Sequence, residues 1–419
     1  MLRFCAAAGV LLASLTAAPS LGAQDTLVAW LRANAHPMSA SPAGQLSGPG
    51  AELLLRAGRE AQFFLIGEEH GVAEIPVIAS ALYADLVPAG YRHFAIEIGD
   101  GLAAETNRLL STDPSGASLL AFQKAHWPGL PFFSRREEAD FLRSVVAASG
   151  GRRDVLWGLD YDIVADRYAL RRLRALAPNA RARRVADSVI ALADSGLSQG
   201  MAQKNPGMFM MFGGPEGVYA ELRKAYAPRA GSEAAQILAQ MQSTREINGL
   251  FLARRGLESN ELRARWNKQR LMGYLRSAPG GQGRPPRVMF KFGASHMVRG
   301  RTFTNVFDLG TLASELADVH GSRSFGVFMV AGAGTQAAVV DPTVMQSVPR
   351  PAGFAQAAWA RPFFAAADSA AWTVFDLRPC RTRIPRLGSI DDTLIRVLYG
   401  FDAFVVLSGS RPQTDLPLR

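Results

Sequence analysis

Short runs that are apolar at nearly every position recur along the chain, each closed by glycine or a polar residue. Gln62-Phe63-Phe64-Leu65-Ile66-Gly67 and Phe94-Ala95-Ile96-Glu97-Ile98 are the first two. Runs this short, without polar alternation, fit strands covered on both faces, as in a parallel sheet. Between them Ile75, Ile78, Leu82 and Leu86 recur at helical spacing, with Pro76 in the first turn and Pro88 and Gly90 at the end. Strand, helix and strand in that order predict a βαβ unit with parallel strands. Runs of the same kind follow at 154–158, 287–292, 325–330, 372–375 and 403–407.

The remaining stretches read differently. Leu27, Trp30 and Leu31 predict a helix over 26–35, the Pro/Ser/Gly-rich residues 36–50 a loop, and Ala51 to Arg59 a second helix. Residues 163–276 carry helical spacing and many arginines, too many residues for one crossover. The expected fold is α/β: a mostly parallel sheet flanked by helices, with a helical insertion at about 163–276. The Met208 to Phe212 run inside it suits either contact with an apolar substrate or core packing.

Composition narrows the class. Of 419 residues, 48% are hydrophobic, which excludes a disordered chain. The net charge is +10, yet only five of the 46 basic residues are lysines and the arginines form no patch. Nucleic acid is therefore not an expected partner. Arg3, an apolar stretch to about Ala18 and Ala23 before Gln24 have the form of an export signal over residues 1–23. The mature chain is expected to be periplasmic or secreted, without a membrane span. It would keep one cysteine, Cys380, and no internal disulfide.

In an open parallel sheet, ligands bind beyond the carboxyl ends of the strands. Polar residues gather at those positions here. Glu68, Glu69 and His70 follow the first strand, Glu97 lies in the second, Asp160 and Asp162 follow the third, and His296 follows the run at 287–292. Only six histidines exist, and two fall at these ends. A histidine beside a carboxylate is held in one tautomer and gains basicity, which suits a general base. The same groups could hold a divalent cation, with His70, Glu97 and His296 as ligands. The residue types leave both uses open. Gly196-Leu197-Ser198-Gln199-Gly200 matches a nucleophile motif but follows no strand, and no phosphate loop occurs.

The segments 29–37, 64–74, 90–97 and 287–296 together resemble the erythromycin esterase family, in a wider group with the haem-binding ChaN-like and TIKI-like proteins. The anchors are Gly67-Glu68-Glu69-His70-Gly71, Glu74, Glu97 and His296. The resemblance implies a hydrolase of a small-molecule ester that activates water with histidine and glutamate. It implies His70 as base, Glu68 or Glu97 orienting it, His296 serving the oxyanion or leaving group, and Glu74 in support, with Glu69 and Asp160 nearby. One residue, Glu69, separates Glu68 from His70, where the macrolide esterases usually have two. The run at 287–296 carries one histidine rather than a pair. This tighter form is similar to the ChaN-like branch, which implies the alternative of a periplasmic haem- or metal-binding protein without catalysis.

Overall fold

The computed structural model describes residues 21–279, 285–341, 345–384 and 390–418. Residues 1–20 of the expected export signal lie outside the described residues; Leu21 begins a helix that runs to Ala33. Eleven strands are described: β1 Ala35–Ala40, β2 Leu46–Ser47, β3 Phe63–Glu68, β4 Tyr91–Ile96, β5 Leu156–Gly158, β6 Arg287–Gly293, β7 Ser324–Ala331, β8 Gln336–Asp341, β9 Gln346–Pro351, β10 Trp372–Asp376 and β11 Ala403–Leu407. Nine of them form one sheet in the order β2-β1-β10-β11-β7-β3-β6-β4-β5, and β8 and β9 form a separate hairpin. From β11 to β5 every pairing is parallel; β10, β1 and β2 add an antiparallel edge.

The chain is thus an α/β protein with a mostly parallel sheet flanked by helices. The apolar runs are strands because each feeds both faces of the sheet. Phe64 and Ile66 pack with Ile78, Leu82 and Phe141 in one core cluster, whereas Phe63 and Leu65 pack with Phe290, Phe292 and Leu309 in the other. Full burial of one such side chain is worth about 1.5–3 kcal/mol, so a strand apolar on both faces strongly prefers a central position. β3 and β4 are parallel, as expected of the βαβ unit, but β6 lies between them. That insertion brings His296 next to residues distant in sequence.

One expectation needs correction. The stretch read as a loop at 36–50 contains β1, β2 and the start of the helix Pro49–Glu60. Ala-His-Pro-Met-Ser-Ala has no apolar alternation because it pairs at the sheet's edge. Proline is tolerated there because an edge strand leaves some N–H groups unpaired.

Residues 166–277 are largely helical, with helices at Asp166–Ala175, Ala180–Ala202, Glu216–Tyr226, Glu233–Leu252 and Gly256–Ser277. The first four share a core cluster of their own, built around Leu170, Ala186, Leu222 and Met241. Met210 and Met211 are buried in that cluster, so this part of the methionine-rich run serves packing. The Gly196–Gly200 motif lies inside the helix Ala180–Ala202, which removes the strained elbow a serine nucleophile needs. Among the described residues no helix is long and apolar enough to cross a membrane.

The loop after β3 is stitched down at Gly71. Its carbonyl accepts the N–H of Ala338 and of Gln413, both at 2.9 Å. Gly71 has φ +86°, and a Cβ there would lie 2.1 Å from the Ala338 carbonyl oxygen. Gly71→Ala should therefore cost more than about 1 kcal/mol of stability, measured as a lower denaturant midpoint with unchanged slope.

Candidate functional site

Glu97 follows directly on β4 and is almost fully buried. A carboxylate in such a place needs donors for its oxygens and a counter-charge. Oε2 accepts the amide N–H of Gly293 at 2.7 Å, and Oε1 accepts Nη2 of Arg263 at 2.7 Å. The same guanidinium donates Nε to Asp160 Oδ1 at 2.9 Å and Nη2 to Oδ2 at 2.5 Å. Arg263 thus bridges two carboxylates, which follow the neighbouring strands β4 and β5.

The two histidines approach Glu97 from its two oxygens. His70 Nε2 is 3.5 Å from Oε2, and His296 Nε2 is 3.5 Å from Oε1. Each ring is anchored through its other nitrogen. His70 Nδ1 lies 2.9 Å from Glu68 Oε1, and His296 Nδ1 lies 2.6 Å from Asp308 Oδ2. With both anchoring groups ionised, each Nδ1 carries the proton and each Nε2 is free to accept one. The His70 ring also stacks on Phe132, with centroids 4.6 Å apart. Gly293 makes this closure possible, since a Cβ there would lie 2.7 Å from His70 Nε2.

The electrostatics follow from these neighbours. Burial raises the Glu97 carboxyl, but His70, His296, Arg263 and the Gly293 amide outweigh it and hold the group at about 2. Burial lowers His70, yet the Glu97 and Glu68 carboxylates leave it above the ordinary imidazole value. Beneath Glu68 lies Lys291, also buried. Its ammonium is 2.8 Å from Glu68 Oε2 and 2.9 Å from Glu138 Oε1. Burial raises Glu68, but Lys291 and His70 bring it below the ordinary carboxylate value.

Of the residues the sequence nominated, Glu68, His70, Glu97 and His296 converge, and Asp160 joins them through Arg263. Glu69 turns elsewhere: Oε1 accepts the amides of Gly353 and Phe354, and Oε2 that of Ala331. Glu74 binds the amide and the guanidinium of Arg411. Sequence reasoning did not single out Arg263, Asp308 or Glu138. Cys380 is buried, and desolvation pushes its thiol up to about 12.

The donor set does not fit a divalent cation on His70, Glu97 and His296. Both Glu97 oxygens already accept hydrogen bonds, and a guanidinium charge sits 2.7 Å from one of them. Among the described residues no group of three or more His, Cys, Asp or Glu is spaced to hold a metal. Haem iron on either histidine would have to displace Glu97 from the Nε2 it faces.

A cavity of about 1000 Å³ is bounded by the helices Asp100–Thr112, Asp166–Ala175, Glu233–Leu252 and Gly256–Ser277. Tyr168, Tyr274, Gln240 and Asp162 line it. Gln240 also donates to the Asp160 carbonyl at 3.1 Å, whereas His70, Glu97, Arg263 and His296 do not line the cavity.

Fold and site together define an α/β protein with two imidazole–carboxylate pairs facing one shared glutamate. No family model matches the chain, and no curated protein matches it in sequence. Solved structures share its fold. A histidine-to-asparagine variant of the erythromycin esterase EreC in its open conformation is 15% identical, with a TM-score of 0.58 over 88% of this chain and 95% of that one. A Bacillus cereus protein solved by structural genomics is 14% identical, with a TM-score of 0.59 over 94% of this chain and 99% of that one. A succinoglycan biosynthesis protein is 12% identical, with a TM-score of 0.60 over 95% of this chain and 100% of that one.

Arg263→Met leaves Glu97 and Asp160 buried without their cation, which should cost about 3–5 kcal/mol near pH 7. The loss should shrink as pH falls toward 4, where the variant's carboxyls take up protons. In the wild type, the contribution of Glu97 is full above its unfolded value and disappears only as pH falls through about 2. Urea unfolding at pH 4.5 and 7.5 compares the two.

Proposed function

We propose that the protein is a hydrolase that activates water with His70 to cleave an ester-like bond in a small molecule. The observation that carries this reading is the convergence of His70 and His296 on Glu97, each Nε2 3.5 Å from one of its oxygens. Neutral His70 accepts a proton from water at Nε2 as the water oxygen attacks the carbonyl carbon. The resulting imidazolium lies between Glu68 and Glu97. Protonated His296 then donates from Nε2 to the leaving oxygen as the carbon–oxygen bond breaks. One imidazole gains a proton as the other loses one, so the charge beside Glu97 is conserved during the reaction; His70 then releases its proton to water and His296 takes one up, which restores the starting state. The fold shared with the erythromycin esterase EreC supports ester chemistry. The expected export signal would place this activity in the periplasm or outside the cell.

Screening a panel of carboxylic esters with the purified protein tests the reading. His70→Ala and Glu97→Gln should each lower kcat by on the order of 10²–10⁴-fold in protein that unfolds with wild-type cooperativity. Wild-type rates from either variant would remove the proposal.

The pH profile has a defined sign. The base must be neutral, so kcat/KM should fall as pH falls through the His70 pKa. Because that value is raised, the acid limb should lie above the ordinary imidazole value of about 6.5. Initial rates from pH 5 to 9 locate it.

A further inference from the structure

Lys291 is a lone cation in the middle of a strand buried on both faces. In β6 it stands opposite Ile66 of β3 and is 1% exposed. Its Nζ lies between two carboxylates: Glu68 at 2.9 and 2.8 Å, and Glu138 at 2.9 and 3.0 Å. The rings of Phe133 and Phe141 flank it at 5.5 and 5.3 Å. Glu138 also accepts Nε2 of Gln413 at 2.8 Å, and Gln413 accepts Nη1 of Arg135 at 3.1 Å. The ammonium is therefore held from several elements and does not reach the cleft.

Its effect on the site runs through a single atom. Glu68 Oε1 is 2.9 Å from Lys291 Nζ and also 2.9 Å from His70 Nδ1. An ionised carboxylate only accepts hydrogen bonds, so Glu68 places the ring proton on Nδ1 and leaves Nε2 with its lone pair. Without the ammonium, Glu68 would be a buried carboxylate with no cation and would take up a proton. Its hydroxyl could then donate to Nδ1, and the ring proton would move to Nε2, where Glu97 accepts it. Both tautomers have partners in this pocket, so the charge at Lys291 selects between them.

We propose that Lys291 is a positioning residue that fixes the tautomer of His70 through Glu68, with Glu138 anchoring the ammonium from the other side. The charged groups around His70 are Glu68 from β3, Glu69 beside it in the chain but turned to backbone amides, Glu97 after β4 and Lys291 from β6, with Arg263 and His296 beyond Glu97. Among them only Lys291 both contacts the His70 anchor and stays out of reach of a substrate. The consequence for rate rests on the reading of His70 as the base; the tautomer does not.

Nitrogen-15 NMR of the full chain with labelled histidine tests the inference without a substrate. Wild type should show the His70 proton on Nδ1, and Lys291→Met should move it to Nε2. Glu138→Gln, which keeps the Lys291–Glu68 contact, should retain the wild-type tautomer. On any ester the protein cleaves, Lys291→Met should lower kcat on the order of 10²-fold with KM little changed. A folded Lys291→Met protein with the wild-type tautomer overturns the inference, as does a wild-type ring protonated at Nε2. If Lys291→Met does not fold, carboxyl carbon-13 titration of wild-type Glu68 decides. Glu68 ionised at every pH at which His70 is neutral, with the ring proton on Nδ1, supports the inference; a protonated Glu68 beside a neutral His70 that still carries its proton on Nδ1 overturns it. A tautomer switch in a protein inert toward every ester would sink the hydrolase reading and leave this one standing.

Discussion

Glu97 is a charge the sheet has taken out of water, and most of the site answers that fact. The carboxylate lies where three neighbouring strands end, among aromatic and aliphatic side chains. An uncompensated ion there would cost several kcal/mol. The chain meets the demand with one guanidinium, one backbone amide and two imidazoles. These groups come from three segments, since Gly293 and His296 share the end of β6, so satisfying Glu97 also assembles the cleft. Arg263 brings in the helix Gly256–Ser277, and Gly293 brings in β6.

The same rule operates one layer down. Glu68 and Lys291 stand on neighbouring strands, and Glu138 reaches them from the helix Arg136–Ala148. Strand alternation places Glu68 on the face of Phe64 and Ile66, which is the face that helix covers. Two cations, Lys291 buried and Arg263 half-buried, therefore hold the two carboxylates that His70 faces. Lys291 holds the partner of Nδ1, and Arg263 holds the partner of Nε2. Both contacts are hydrogen-bonded salt bridges in low-dielectric surroundings, where geometry is enforced more stiffly than at a surface.

The sheet was legible because burial on both faces demands unbroken apolar runs, and seven such runs became strands. β1 was not, because Ala35 to Met38 pair with β10 alone and a strand open on one side needs no such pattern. In the site, the strand-end argument found Glu68, His70, Glu97 and His296 because topology fixes where strands end. It did not separate these from Glu69 and Glu74, since the loop after β3 turns them toward backbone amides and Arg411. Arg263 was hidden among 41 arginines on a helix with no local signal. Lys291 was visible in principle: a lysine inside Val-Met-Phe-Lys-Phe raises the same question of compensation as glutamate inside Ala-Ile-Glu-Ile. Its partner Glu138 lies in a helix whose place over β6 only the fold reveals.

Charge counting constrains the chemistry further. Glu97, Asp160 and Arg263 together carry one net negative charge when the carboxyls are ionised. Asp308, Glu68 and Glu138 add three carboxylates and Lys291 one cation, so with every carboxyl ionised the cluster carries three net negative charges, and two imidazoliums would still leave one. Asp308 offsets a proton on His296, and Glu68 offsets one on His70 only in part, because Lys291 already draws on it. A proton on either ring therefore meets Glu97 at Nε2 and an anchoring carboxylate at Nδ1, and the two rings differ in that Lys291 draws on the anchor of His70 alone. The reaction proposed above needs two such sites, one to take a proton from water and one to give a proton to the leaving oxygen.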